Sequence, residues 1–324
     1  MKNLIKHVKD VNSRLNMWQS DSIIVVGVSG GPDSICLVDV LRKIAEKSNI
    51  TIIIAHVNYG LRGSDSVADE KLVSEYAKKY SIICEILVCS ECSHGGENEW
   101  RDIRYDFFRK ILLKYSATKI AVAHTKNDQA ETVLGHLIRG SGLQGLSGMR
   151  QSLDSGIIRP LLTASRDDVL EYCDSYKISY NIDKTNEDIT FMRNRLRKEL
   201  IPKLAKSYNP GIIDTLASTA RIIADDQDFL ESIQEEFWCV RENDNITFSA
   251  SEFLLKHPSQ QRLALRTIIG QLRGDLTDIE EGFIEELRKV ISSMKNKHQI
   301  IHTKDLKMMK NNDTVEFVKL KAGS

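Results

Sequence analysis

Long apolar runs are missing from this 324-residue chain, and no stretch approaches the roughly 18 consecutive apolar residues that a membrane helix needs. Its first residues, Met1 to Leu15, hold no apolar core of the kind a secretion signal carries, so a cytoplasmic location is expected. Proline is scarce at 5 residues and glycine stops at 18, which excludes collagenous and low-complexity chains. Aromatics reach only 6%, yet hydrophobic residues make up 41%, enough for a sizeable core and against disorder over most of the length. Net charge is absent too. The 45 Lys and Arg balance 45 Asp and Glu, so a polyanionic partner has to be recognised by local clusters rather than by a global field. The 6 cysteines, at 36, 84, 89, 92, 173 and 239, are too scattered for a disulfide scaffold and fit a reducing compartment. Cys89, Cys92 and His94 have metal-like spacing, but no second pair follows, so free thiols without a metal are expected there.

Several apolar, β-branched runs stand out: Ile23 to Val28, Ile50 to Ala55, Ile82 to Val88 and Lys119 to Ala123. They are continuous rather than alternating, as in strands covered on both faces, and helix-length stretches such as Ser66 to Tyr80 and Glu99 to Tyr115 separate them. This alternation predicts an α/β fold, a Rossmann-like parallel sheet with helices on both faces. Beyond Asn181 the texture becomes charged and helical, with Pro202 and Asn209-Pro210-Gly211 as breakers. Helices are expected over 199 to 240, about 251 to 273 and 277 to 294, followed by a hairpin around Asn311-Asn312-Asp313. Two domains follow: 1–205, and a smaller, mainly helical 206–324 with a small sheet.

Ser29-Gly30-Gly31-Pro32-Asp33-Ser34 joins the first strand to the first helix of this alternation and reads as a phosphate cradle. Glycines let backbone amides approach an anion, the hydroxyls of Ser29 and Ser34 donate to it, and the helix presents its positive end. Asp33 would repel phosphates unless a cation such as Mg²⁺ lies between, so a metal-bridging role is expected for it.

The SGGPDS loop resembles that of the N-type ATP pyrophosphatases, which split ATP to AMP and pyrophosphate while adenylating a carbonyl oxygen. Further segments resemble successive motifs of the tRNA(Ile)-lysidine synthetases: His56 to Arg62, Glu97 with Arg101 and Arg104-Tyr105, and His124 to Thr132. Arg139 to Leu146, Arg159-Pro160-Leu161, Asp183 to Asn186 and Arg193 to Arg197 follow in the same order. The resemblance covers about residues 20 to 205. It implies an adenine-nucleotide-hydrolase-like fold and a ligase that forms lysidine. ATP would activate the C2 oxygen of the wobble cytidine in a tRNA(Ile) with a CAU anticodon, and free L-lysine would displace AMP.

On that resemblance the cradle residues Ser29 to Ser34 and His56 bind ATP, Asp33 holds Mg²⁺ and Arg104 faces phosphate or substrate. His124 and Asp128 are candidates for easing deprotonation of the lysine amine, whose usual pKa is near 10.4. Asp128 would also pair with the lysine α-ammonium, and Glu131 with metal, nucleotide or substrate. Asn127 stands where the family often carries a second acid, and is taken as neutral. Trp100 stands where a small residue is usual, and reads as a helix-face contact. Arg193, Asn194, Arg195 and Arg197 would bind tRNA phosphates. The loop Gly140-Ser141-Gly142 with Gly145 to Gly148 would close over the cytidine. In the second domain, Lys295, Lys297, His298, Lys304, Lys307 and Lys310 follow an acidic stretch (Asp225, Asp226, Asp228, Glu231, Glu235, Glu236). Such sign separation suits tRNA binding or a homodimer contact equally. Cys89 and Cys92 keep one alternative open, a tRNA cytidine sulfur transferase with the same ATP chemistry.

Overall fold

A computed structural model describes residues 3–89, 96–182, 192–232, 239–242, 245–274, 276, 279–293, 299–303 and 305–320. Contacts divide the chain into two compact units, Met1–Gly140 with Gly145–Ile222, and Ser141–Gln144 with Ile223–Ser324. That division falls inside a helix, Ile212–Ser232, whereas the sequence reading drew the boundary at 205.

The first unit is built on a parallel sheet of five strands: β1 (Ile23–Gly27), β2 (Thr51–Asn58), β3 (Ile83–Val88), β4 (Lys119–Ala121) and β5 (Ile157–Ile158), ordered β3-β2-β1-β4-β5. The first four match the expected runs. β5 is only two residues long and gives no pattern to read. Helices α1 (Leu4–Leu15), α2 (Pro32–Ala45), α3 (Ser64–Lys79), α4 (Glu97–Lys114), α5 (Lys126–Ile138), the short α6 (Leu143–Leu146) and α7 (Arg166–Ser175) intervene.

Alternation within strands explains why the runs are continuous. Ile24, Val26, Ile52 and Ile54 join α1, α2 and α7 in one core, whereas Val25, Ile53 and Ala55 face Tyr105, Phe108 and Ile111 of α4 on the other side. Both faces are covered, so neither alternate set can be polar. Strand order reverses beside β1, between β2 and β4, the crevice in which open α/β sheets hold ligands at the carboxyl ends.

After α7 come α8 (Met192–Arg195), a π-helical turn Leu196–Leu200, α9 (Ile201–Ser207) and α10 (Ile212–Ser232). Pro202 has no N–H to give to a carbonyl four residues back, and the turn before it widens, with the Ile201 N–H reaching back to the Leu196 carbonyl. Leu196 and Ile201 then pack on Ala130 and Leu134 of α5, joined by Met192, Leu200, Ile212 and Leu216.

The second unit has its own core. β6 (Val240–Glu242), β7 (Asn245–Ser249), β8 (Gln299–His302), β9 (Leu306–Asn311) and β10 (Thr314–Lys319) form an antiparallel sheet, ordered β6-β7-β10-β9-β8. Phe248, Phe317, Val315 and Met308 pack against α11 (Ala250–Leu255), α12 (Pro258–Arg273) and α13 (Glu281–Ser292). The expected hairpin is β9–β10, turned at Asn312 with φ of 52°. Lys310 does not belong to an exposed basic face: it is buried, and its Nζ donates to the Ser293 carbonyl at 2.5 Å. Lys295, Lys297, His298, Lys304, Glu235 and Glu236 lie outside the described residues. Among the described residues no helix is long and apolar enough to cross a membrane.

Candidate active site

The loop between β1 and α2 is held tightly by its own hydroxyls. Ser34 Oγ accepts from the Ser29 N–H at 3.1 Å and donates to the Gly31 carbonyl at 2.9 Å. Ser34 is buried, while Ser29 is exposed, its hydroxyl 3.2 Å from that of Ser34. Gly30 has φ of +94°, and a Cβ there would meet the Asp69 carboxylate at 3.0 Å, so glycine is required on both counts. Asp69 is fixed in turn by Arg62 at 2.6 Å and by Asn181 Nδ2 at 2.7 Å, and the Asn181 N–H caps the Gly30 carbonyl at 3.0 Å. Neither Asp69 nor Asn181 carried a signal in the sequence, since their meeting with each other and with Gly30 exists only in the folded chain.

Asp33, in the first turn of α2, has one oxygen 3.4 Å from Arg166 and the other buried without a hydrogen-bond partner. Burial raises its pKa to about 6, opposed by Arg166 and aided by the negative charges of Asp128 and Glu131. A desolvated, unpartnered carboxylate oxygen at the mouth of a phosphate loop is the donor type that suits Mg²⁺. Arg166 was not anticipated. It begins α7, where its N–H donates to Asn127 Oδ1 at 2.9 Å, so Asn127 ties α5 to α7.

On α5, Asp128 and Glu131 are both buried, and the structure pairs them with two of the basic residues assigned to RNA. Asp128 Oδ2 accepts from the Thr125 N–H (2.7 Å) and hydroxyl (2.8 Å), closing a capping box. Its Oδ1 accepts from Arg193 at 2.6 Å and Arg197 at 3.1 Å. Glu131 accepts from Arg193 Nε at 2.9 Å and Arg197 Nε at 2.5 Å. Positions 193 and 197 are one helical turn apart and turn inward together, whereas Arg195 is exposed and Asn194 half-buried. The basic cluster therefore divides. Arg193 and the capping hydrogen bonds from Thr125 hold Asp128 below its ordinary range despite burial.

His124 sits just before α5, and Arg159 Nε donates to its Nδ1 at 3.2 Å. Arg159 is itself buried and gives a second hydrogen bond to the Arg150 carbonyl at 2.6 Å. Burial, assisted by the charges of Arg159, Arg193 and Arg104, pushes His124 down to about 3, against the pull of Asp128. The ring is neutral at physiological pH, and because Nδ1 accepts, its proton is on Nε2. His56 is arranged in the opposite sense: Nδ1 donates to the Val28 carbonyl at 2.8 Å, burial lowers its pKa, and Nε2 is a buried acceptor without a partner. Arg104 is half-buried on α4, within electrostatic reach of both His124 and Tyr59.

The structure thus gathers Asp33, Asp128, Glu131, His124, Arg193 and Arg197 around the carboxyl end of β1 and β4, with His56 on β2. One sequence expectation is corrected: Cys89, read as a free thiol, is disulfide-bonded. Cys92 and His94 lie outside the described residues, as do Asp183 to Asn186.

The family model of the PP-loop domain matches residues 2–204. The chain is 35% identical to the tRNA(Ile)-lysidine synthase of Clostridium tetani over 293 residues, which is 88% of this chain and 62% of that protein. It is 32% identical to the tRNA(Ile)-lysidine synthase of Clostridioides difficile, covering 93% of this chain and 67% of the relative. The chain therefore spans about three fifths to two thirds of the length of these relatives. Among solved structures, the U34-tRNA thiolase NcsA from Methanococcus maripaludis with its [4Fe-4S] cluster is similar in fold. The TM-score is 0.57 at 19% identity, over 69% of this chain and 78% of that one.

Proposed function

The chain belongs to the PP-loop domain family, and from that premise we propose that it joins lysine to C2 of the wobble cytidine of tRNA(Ile) with a CAU anticodon, consuming ATP. The observation that carries this reading is a site in which a phosphate loop whose Asp33 keeps one buried, unpartnered carboxylate oxygen adjoins two buried carboxylates that already hold cations. That pairing of features suits a nucleotide on one side and an ammonium substrate on the other.

In the first step the cytidine C2 oxygen attacks the α-phosphorus, the bond to the pyrophosphate oxygen breaks and pyrophosphate leaves. Ser29 and the amides before α2 cradle the phosphates, Arg104 and Arg166 add positive charge, and the neutral His56 offers Nε2 to a donor on the nucleotide. Asp33 would hold Mg²⁺, which would supply charge neutralisation on the phosphates.

In the second step the lysine ε-nitrogen forms a bond to C2, the C2–O bond breaks and AMP leaves. Asp128 and Glu131 take the lysine ammonium once Arg193 and Arg197 have been drawn away by phosphate, so nucleotide binding favours lysine binding. His124 carries its proton on Nε2 and has Nδ1 occupied, which makes it a hydrogen-bond donor to the developing charge rather than the base. The carboxylates are then the proton acceptors for the amine. The exposed Arg195 is the member of the basic run available to RNA backbone.

Incubation with ATP, Mg²⁺, labelled lysine and a tRNA(Ile) transcript tests the reading. Label in RNA that requires both ATP and the wobble cytidine is the expected result. AMP release without lysine in RNA would overturn the assignment of the nucleophile and leave the ATP chemistry standing.

A further inference from the structure

Asp39 lies on α2, six residues after Asp33, and is only 2% exposed. The Tyr76 hydroxyl of α3 donates to its Oδ1 at 2.7 Å, and the Tyr172 hydroxyl of α7 donates to its Oδ2 at 2.8 Å. Two cations of its own helix complete the set, Arg42 Nη2 at 2.8 Å from Oδ1 and Lys43 Nζ at 2.9 Å from Oδ2. Lys43 is held in turn: its Nζ lies 3.1 Å from the centre of the Tyr176 ring and donates to the Tyr172 hydroxyl at 3.1 Å. Burial pushes the Asp39 carboxyl up, but hydrogen bonds from Arg42, Lys43, Tyr76 and Tyr172 hold it below its ordinary range, so it is ionised at neutral pH. One carboxylate thus ties three helices together where water does not compete.

Each of those helices carries a group of the phosphate site. α2 begins at Pro32 and Asp33, and α7 begins at Arg166, 3.4 Å from Asp33 Oδ2. α3 carries Asp69, the side chain that stands against Gly30. The Arg166 contact is already long for a hydrogen bond, so a small displacement of α7 breaks it. The rest of the packing between α2 and α7 is an apolar core that includes Cys36, Val169 and Cys173, with the Cys173 thiol 3.8 Å from the Pro32 carbonyl. Contacts of that kind are non-directional and let packed helices slide, whereas hydrogen bonds to a fixed carboxylate do not. For stability alone a buried charge is a poor choice, since apolar residues of similar volume serve as well or better. What the carboxylate adds is position.

We propose that Asp39 is a positioning residue of the phosphate site: by holding Tyr172 and Tyr76 it fixes α7 and α3 against α2, and so keeps Arg166 beside Asp33 and Asp69 against Gly30. The inference rests on the ATP reading above and deepens it. Local sequence pattern does not announce it, because both tyrosines come from other helices.

Full-chain variants test it, with ATP affinity measured by calorimetry in the presence of Mg²⁺ and KM for lysine by turnover. Tyr172→Phe removes one hydroxyl and leaves the ring in the core. It should raise the Kd for ATP about fivefold, the scale of one hydrogen bond, and leave KM for lysine as in wild type. Tyr76→Phe should act in the same direction through α3. In an Arg166→Gln background, Tyr172→Phe should change the Kd for ATP by less than about twofold, because the group it acts through is gone. Asp39→Asn should weaken ATP binding more than either tyrosine variant, and where it fails to fold the Tyr172–Arg166 cycle decides.

A Tyr172→Phe effect of equal size with and without Arg166 overturns the proposal. So does wild-type ATP affinity in a Tyr172→Phe protein whose denaturation midpoint has fallen, which would leave Asp39 a stabilising residue only. Wild-type protein that binds no ATP overturns the functional reading instead, so the two failures are told apart.

Discussion

At the scale of single residues, the site depends on where protons and left-handed backbone are allowed. His124 is neutral in the fold with a pKa of about 3, whereas an unfolded histidine titrates near 6.5. Between those values the unfolded chain binds a proton that the folded one refuses, so folding stability falls as pH drops from about 6.5 toward 3. His124→Asn should lose less stability than wild type when pH is lowered from about 7 to about 4, as denaturant titrations at each pH would show. In wild type the His124 ring resonances should not titrate between about pH 5 and 8. Gly30→Ala adds a Cβ at φ of +94° and 3.0 Å from Asp69. It should cost at least about 1 kcal/mol of stability and sharply weaken ATP binding, measured by calorimetry. The loop glycines and Asp33 were legible because their types are strange in company: a carboxylate among anion-binding groups demands an explanation. Arg166 and Asn181 were not, because an arginine or asparagine has no local pattern that announces a partner more than a hundred positions away.

At the scale of elements, α5 and the α8–α9 segment act as one device. Leu196 and Ile201 anchor the segment on Ala130 and Leu134, and that anchoring sets Arg193 and Arg197 over Asp128 and Glu131. Leu196 is 5% exposed, so Leu196→Ala should destabilise by about 2–5 kcal/mol. Because the lost packing loosens the arginines, the same variant should also change KM for lysine, a linkage that steady-state kinetics would reveal. Helix and strand positions were readable from periodicity, since both faces of the parallel sheet must be apolar. The π-turn was not. It follows from Pro202 meeting a packing register, and only the packed helices determine how the missing N–H is accommodated.

At the scale of the whole molecule, balanced charge limits what electrostatics can do for RNA. Two of the four residues expected to meet RNA phosphates, Arg193 and Arg197, are engaged with carboxylates, and Arg195 is the exposed arginine of that run. RNA binding should therefore show a shallow salt dependence, and Arg195→Ala should reduce its slope by about 1 while weakening affinity alike for different RNA sequences. Filter binding across a salt series would measure both. The alternation of the first four strands with helices, and the glycines and Asp33 of the loop after β1, were legible in the sequence alone, because each depends on local periodicity or local chemistry. Tertiary structure alone decided that Asp128 and Glu131 hold Arg193 and Arg197, and that Arg159 sets the tautomer of His124. Those are pairings between groups far apart in the chain, and their energy exists only once the sheet and its helices have brought them together and removed the water between them.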